Sequence, residues 1–504
     1  MLIQKLRLYS KSYIHVTEFL AACVLGLLLG AVSIWASPIG VMLVFAGGVF
    51  ALAATRRHEL LLLAYLIFTS TIIDDTYNPS ISIGIGKMYL TDVIIFTAFV
   101  LIVLRSLSEP DFELIHTPLD FPLIMFWGVT MFSTFLAIFQ GNITLNASLG
   151  AIRSVGSYLL FFAVTNLVRK ERQLDLLWNG MSLFAIFTAF GMIAQYIVGS
   201  SVRILPGRVE TLNTEGVSFS DITRIIPPGD ALIFFVFIVF TVSIMLKARK
   251  SSSISTLLSF GLLGLGTLLT YKRHLFIGFG IAVILLFVLL NSRDKVRLLA
   301  WAFASTLIIT IAVLLISMFP GSKALEFVTA SSNRFLSLVS EETYSNPNSS
   351  LQWRSFEYQY ALPQIASHPL IGMGLDTRYR PFVRGRDYLP GGDFRRFVHN
   401  GHVAILLRSG LLGYMFFAWL SVAFIWRGFK YWRDIPDLRA QALVLGLTLT
   451  YIGILIGTVV SPIILTANWT PVLGIMFGTN EVIFKNFDVK RLRFDRLSTE
   501  AMDG

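Results

Sequence analysis

From residue 16 almost to its C-terminus the chain is a succession of long apolar runs, and that succession limits what it can fold into. About 20 mainly apolar residues in a helix cross the ~30 Å hydrocarbon core of a bilayer. Runs of about this kind fall near 16–36, 39–55, 59–74, 89–105, 119–139, 150–168, 174–198, 229–248, 254–271, 274–292, 298–319, 400–426, 440–464 and 469–484. The third and the last are short. The expectation is an all-α polytopic membrane protein with about 12–14 transmembrane helices. Only 14% of the 504 residues are charged, against roughly 25% in soluble domains. That is too few to cover the three soluble domains the length would otherwise suggest. The net charge of +11 then belongs to membrane-flanking loops, and no nucleic-acid partner is expected. The single cysteine, Cys23, lies in an apolar run, so a disulfide scaffold is excluded.

Basic residues fall on alternate connections. One set holds Arg56 and Arg57, Arg105, Arg169 with Lys170 and Arg172, Lys247 with Arg249 and Lys250, Arg293 to Arg297, Arg427 to Arg439, and the tail from Lys485 to Arg496. The short connections between them are nearly free of Lys and Arg. The positive-inside rule assigns the basic set to the cytoplasm. Both termini are then cytoplasmic, with Lys5, Arg7 and Lys11 ahead of a first run too long for a cleaved signal. The expected organisation is N-terminal membrane helices over 1–319 with an outer loop near 199–228, a large extracytoplasmic loop over 320–399, C-terminal membrane helices over 400–484 and a basic cytoplasmic tail over 485–504. No internal repeat is visible.

Polar groups collect where apolar runs begin or end on the outer side. Arg224 precedes Pro227-Pro228-Gly229, and His399 opens His399-Asn400-Gly401-His402 where the large loop re-enters the membrane. Lys272 and Arg273 form a basic pair on a short outer turn, against the sidedness pattern. Such a pair either snorkels to the headgroups or faces a wet cavity. A guanidinium fork matches phosphate oxygens, and an imidazole can take a proton from a sugar hydroxyl near neutral pH. The large loop adds Arg354, then His368-Pro369-Leu370-Ile371-Gly372-Met373-Gly374, where Gly372 and Gly374 allow close backbone approach and free amides for an anion. Arg378, Arg380, Arg384, Arg386, Arg395 and Arg396 make either a solvated face or a funnel for an acidic lipid or glycan. Arg408 lies inside an apolar run, which makes it either a site residue or half of a structural pair; Arg153 is a weaker example. There is no Gly-rich nucleotide loop, no H-E-x-x-H and no paired-cysteine metal site. The acids Asp221, Asp376 and Asp393 are scattered. No metal and no cofactor are expected.

Several of these stretches together resemble the O-antigen ligase and O-antigen polymerase superfamily of bacterial envelope enzymes. His399-Asn400-Gly401-His402 followed by Gly410-Leu411-Leu412-Gly413 resembles the family's His-Asn motif and its paired-glycine helix. Arg354 and the His368–Gly374 stretch resemble the end of its large loop. Leu269-Thr270-Tyr271-Lys272-Arg273, with Gly278 after it, resembles its Thr-x-Ser-Arg turn, Lys272 replacing the usual Ser. Arg224 stands in the place of its first loop arginine, and Arg408 where many members carry an acid. The motif-bearing part is roughly 220–425.

The resemblance implies a GT-C-like, metal-independent glycosyltransferase in the bacterial inner membrane, its active face periplasmic. The donor would be a glycan on undecaprenyl pyrophosphate, and the acceptor lipid A-core or another lipid or glycan hydroxyl, within cell-surface polysaccharide (lipopolysaccharide) biosynthesis. His399 would be the base, with Arg224 and Arg273 on the pyrophosphate. Arg354, Asn400, Gly372, Gly374, Lys272 and Arg408 would contact substrate, and membrane lipids would surround the whole. Within the family a polymerase is the alternative to a ligase, and outside it a transporter or flippase.

Overall fold

A computed structural model describes residues 57–71, 73, 78–82, 86–214, 217–248, 253–319, 322–336, 350–383 and 393–489. The apolar runs at 16–36 and 39–55, Cys23, Arg56, Arg249, Lys250, Arg384, Arg386, the side chain of Asp221 and the basic residues after 489 lie outside the described part.

The described chain is mostly helical. In order it forms α1 (Glu59–Thr69), strands β1 (Ser80–Ser82) and β2 (Lys87–Tyr89), then α2 (Leu90–Ser108), α3 (Asp120–Phe139), α4 (Leu145–Gly156) running through a 3-10 turn into α5 (Leu160–Leu167), and α6 (Glu171–Val198). Strands β3 (Arg208–Thr214) and β4 (Val217–Ile226) follow, then α7 (Asp230–Met245), α8 (Ile254–Leu269), α9 (Arg273–Leu289) and α10 (Ser292–Ser317). The last elements are α11 (Lys323–Leu336), α12 (Ser350–Ser367), α13 (Gly401–Tyr431), α14 (Leu438–Gly457) and α15 (Thr470–Asn486). Among the described residues seven spans are long and apolar enough to cross a membrane, with α4–α5 counting as one. Four shorter apolar helices, α1, α7, α8 and α9, accompany them. With α15, they coincide one for one with the apolar runs from residue 59 onward.

Local chemistry sets the helix ends. Thr144, Asn400 and Asp437 accept backbone amides at the starts of α4, α13 and α14, satisfying donors that a helix start leaves open. All sixteen residues of α7 are buried, as expected of a helix apolar on every face. It packs on α14, where Gly446 lies against Val239. At the crossing of α14 and α9, a Cβ on Gly278 would stand 3.0 Å from the Gly453 carbonyl oxygen, so only small residues let these backbones touch. α10 is the opposite case: none of its apolar stretch is buried.

Two places depart from plain helices. The connection expected as a loop at 199–228 contains an antiparallel hairpin, β3 on β4, with Glu210 directly opposite Arg224 and a register shift at Thr211/Leu212. Its buried side chains Leu212, Phe219 and Ile222 pack with Tyr271 and Ala330. The second place is Gly410, within α13, at φ 63° and ψ −167°. The break frees backbone groups inside an apolar helix, where each must find a partner. The segment from Pro369 to Gly374 supplies them. Leu411 and Leu412 donate to the carbonyls of Pro369 and Leu370 at 2.8 and 3.1 Å, and Met373 and Gly374 donate to those of Leu407 and Arg408 at 2.8 and 2.9 Å.

Candidate active site at the hairpin end

The hairpin, the starts of α7, α9, α13 and α15 and the end of α14 share one end of the bundle. The turn between α8 and α9 carries Lys272 and Arg273 there. Tyr271, at φ 49°, reverses the chain and its ring is buried. Lys272 is ion-paired with Asp230, whose other oxygen accepts from Asn468 at 2.8 Å. One buried carboxylate thus ties the starts of α7 and α9 to the segment before α15. Lys272 is engaged in this internal pair.

Arg224 points from β4 to the same turn. Its Nε donates to the Thr270 carbonyl at 3.1 Å and its NH1 to Glu210 Oε1 at 3.3 Å. Burial holds its pKa below the ordinary arginine value; Glu210 works against that, while Arg208 and Arg273 add to it. Arg354, on α12, donates to the Val460 carbonyl at 3.1 Å. Burial lowers its pKa too, opposed by Tyr358 and Glu357 and assisted by Arg273. Arg273 therefore stands within electrostatic reach of both Arg224 and Arg354, and three cations from three distant stretches face one region.

One turn along α12 from Arg354 is Glu357, 1% exposed. Its Oε2 accepts the backbone amide of His399 at 2.8 Å and its Oε1 bonds the His399 Nδ1 at 2.7 Å. A carboxylate only accepts, so Nδ1 carries the proton; in a neutral imidazole the lone pair is then on Nε2. The Phe397 ring stands edge-on to the imidazole, centroids 4.7 Å apart. Next in sequence, Asn400 accepts the amides of His402 and Val403 at 2.9 and 3.2 Å and donates to Tyr358 Oη at 2.9 Å. Asn400 thus caps α13 and joins it to α12. Gly401 donates to the Thr458 carbonyl at 2.7 Å, bringing the end of α14 into the same contact. Arg224, Arg273 and Arg354 thus lie within electrostatic range of one another through Arg273, and Arg354 is one helical turn from the carboxylate that orients His399.

The remaining candidates stand apart from this run. Gly372 and Gly374, at φ 70° and 86°, do form the tight turns their composition suggests. Their amides are not open to an anion: Gly372 donates to the His368 carbonyl at 3.1 Å and Gly374 to that of Arg408. Arg408 is buried and donates to the Thr377 carbonyl at 2.7 Å, to Thr377 Oγ1 at 2.6 Å and to the Arg396 carbonyl. It fastens the loop to the broken helix. The arginine stretch is partly neutralised from within. Arg378 and Arg395 both pair with Asp393, their hydrogen bonds holding that carboxyl below the usual range. Arg380 bonds the Phe394 carbonyl at 2.9 Å and stacks on Trp353. Arg153 pairs with Asp92.

Residues 258–418 match the family model described as O-antigen ligase. This match, over about a third of the chain, supports a likeness to the O-antigen ligase and polymerase superfamily. The matched stretch holds Arg273, Arg354, Glu357, His399, Asn400 and the Gly410 break, while Arg224 precedes it. No curated protein matches the chain. Members of this superfamily are glycosyltransferase-like enzymes of the ligase or polymerase type. Glu357, Tyr358 and Glu210 were not among the residues singled out from sequence. Glu357 follows Arg354 at the i, i+3 spacing that puts both on one helix face, which is the one signal the sequence carries for it.

Proposed function

We propose that this O-antigen ligase-type enzyme transfers a glycan from undecaprenyl pyrophosphate to an acceptor hydroxyl, at the outer leaflet of the bacterial inner membrane, with the hairpin end facing outward. The acceptor hydroxyl oxygen attacks the anomeric carbon of the donor. Its proton passes to His399 Nε2, and the bond from that carbon to the diphosphate oxygen breaks with its electron pair on the departing diphosphate. Negative charge grows on the leaving group. Arg273, Arg224 and Arg354 meet it, the kind of preorganised electrostatic help that carries much of such a barrier. The arginines supply this charge, with no metal required, and Glu357 holds the imidazole in its basic tautomer. The observation carrying the proposal is the pair of Glu357–His399 bonds one helical turn from a cation within reach of Arg273.

The test is transfer in proteoliposomes, with an undecaprenyl-pyrophosphate-linked glycan as donor and lipid A-core as acceptor, in the presence of EDTA. The wild-type chain is expected to transfer and His399→Ala to lose transfer while inserting normally. Normal transfer by that variant would remove the role of His399. Products confined to longer carrier-linked chains would make the enzyme the polymerase of the pair.

A further inference from the structure

Arg354, Glu357 and Tyr358 stand at i, i+3 and i+4 on α12, a spacing that sets all three on one helix face. Glu357 turns to His399. Tyr358 turns to the next residue, Asn400, whose Nδ2 donates to its Oη at 2.9 Å. The helix cap fixes the direction of that bond. Asn400 Oδ1 accepts the amides of His402 and Val403 at 2.9 and 3.2 Å, so the atom facing the phenol is the NH₂, which only donates. The tyrosine oxygen is an acceptor here, and its own proton points elsewhere.

Among the described residues nothing accepts that proton. Arg354, which lies within electrostatic reach of the phenol, carries donors only. Glu357 directs one oxygen to the His399 amide and the other to Nδ1. Tyr358 keeps part of its surface open. A hydroxyl that receives one donor and sits beside a guanidinium gains most from an anionic acceptor, and the same guanidinium draws an anion to it. Its position is the second point. The oxygen stands between Arg354, one of the three cations, and Asn400, the neighbour of the base.

We propose that Tyr358 is a further catalytic residue, donating its O–H to the diphosphate oxygen that bonds the anomeric carbon. This rests on the transferase reading above and adds a neutral donor to the three cations. The proton stays on the tyrosine. As the bond from the anomeric carbon to that oxygen breaks, the electron pair remains on the oxygen, and the hydrogen bond strengthens with the growing charge. The experiment uses the full-length chain with Tyr358→Phe, and with 3-fluorotyrosine or 3,5-difluorotyrosine at position 358. Fluorination keeps the ring while making the phenol a stronger donor and a weaker acceptor. Initial rates of transfer from an undecaprenyl-pyrophosphate-linked glycan are measured in proteoliposomes, at a pH that keeps every phenol protonated. Tyr358→Phe should lose roughly tenfold or more in rate, and the rate should climb from tyrosine to fluorotyrosine to difluorotyrosine. A tyrosine that only tied α12 to Asn400 would give the opposite trend, because its oxygen accepts less well along the series. A flat or falling rate, or wild-type transfer by Tyr358→Phe, overturns the proposal. Calorimetric binding of undecaprenyl diphosphate is the arm independent of transfer: affinity that rises along the series in a chain that transfers nothing would defeat the transferase reading and leave the Tyr358 contact standing.

Discussion

Glu357→Gln is the substitution whose outcome the geometry specifies most sharply. The carboxylate accepts two bonds, from the His399 amide at 2.8 Å and from Nδ1–H at 2.7 Å, and both donors need acceptors. A glutamine amide offers one acceptor and one donor at the same positions. If its oxygen keeps the backbone amide, its NH₂ faces Nδ1 and drives the proton to Nε2, where the base is needed. If its oxygen keeps Nδ1–H, the NH₂ opposes the backbone N–H. Loss of a bond to a charged group costs about 1.5–3 kcal/mol, and a tenfold change in rate corresponds to about 1.4 kcal/mol. Mispositioning alone then slows transfer roughly 10- to 150-fold, and removal of general-base help extends this toward about 10²–10⁴-fold. The assay is initial-rate glycan transfer in proteoliposomes, with thermal unfolding of the purified variant as the folding control. Residues that act as one unit are not additive, so Glu357→Gln combined with His399→Ala should be no slower than His399→Ala alone. A Glu357→Gln chain with the wild-type rate, or a double variant slowed by the product of the two single effects, would refute the dyad.

Three further outcomes follow from the same geometry. Arg273→Lys should lose nearly as much transfer as Arg273→Ala, because an ammonium cannot make the forked contact with a diphosphate; a wild-type rate in the lysine variant would assign Arg273 to the headgroups instead. Gly410→Ala should destabilise by several kcal/mol, because φ is 63° and the new Cβ would meet the Leu370 carbonyl, combining backbone strain with a steric clash; an unchanged melting temperature in detergent would show that the break is not required. Arg408→Met should lower the melting temperature by removing the bonds to Thr377 and Arg396, without a selective rise in KM for the donor; a KM effect at unchanged stability would return Arg408 to the substrate.

The helices were legible because the bilayer imposes its thickness on the sequence: Leu90–Ser108 or Asp120–Phe139 must be apolar for the whole crossing. The hairpin was not, since its stretch is short and the register shift at Thr211/Leu212 spoils the alternation that would betray it. Arg273 stood out by breaking a charge pattern and His399 by its motif, whereas Glu357 became visible only through a partner 42 residues away. A charge inside an apolar run reads as either a site residue or half of a structural pair; the acceptors that Arg408 uses are carbonyls of Thr377 and Arg396, which sequence does not mark. Gly410 stood out only as one of a pair of glycines in a helix, not as a break, because nothing local distinguishes a helix broken to admit another segment of chain from one that simply continues.

That interruption has a consequence for how the protein is made. The half-helix from Gly401 to Ser409 and its continuation at Leu411 cannot complete their own backbone bonds in hydrocarbon; they need Pro369 to Gly374 in place. Residue 372 leaves the ribosome well before residue 410, so the order of synthesis suits the need. The earlier segment then offers the amides and carbonyls on which the following broken helix closes its backbone bonds.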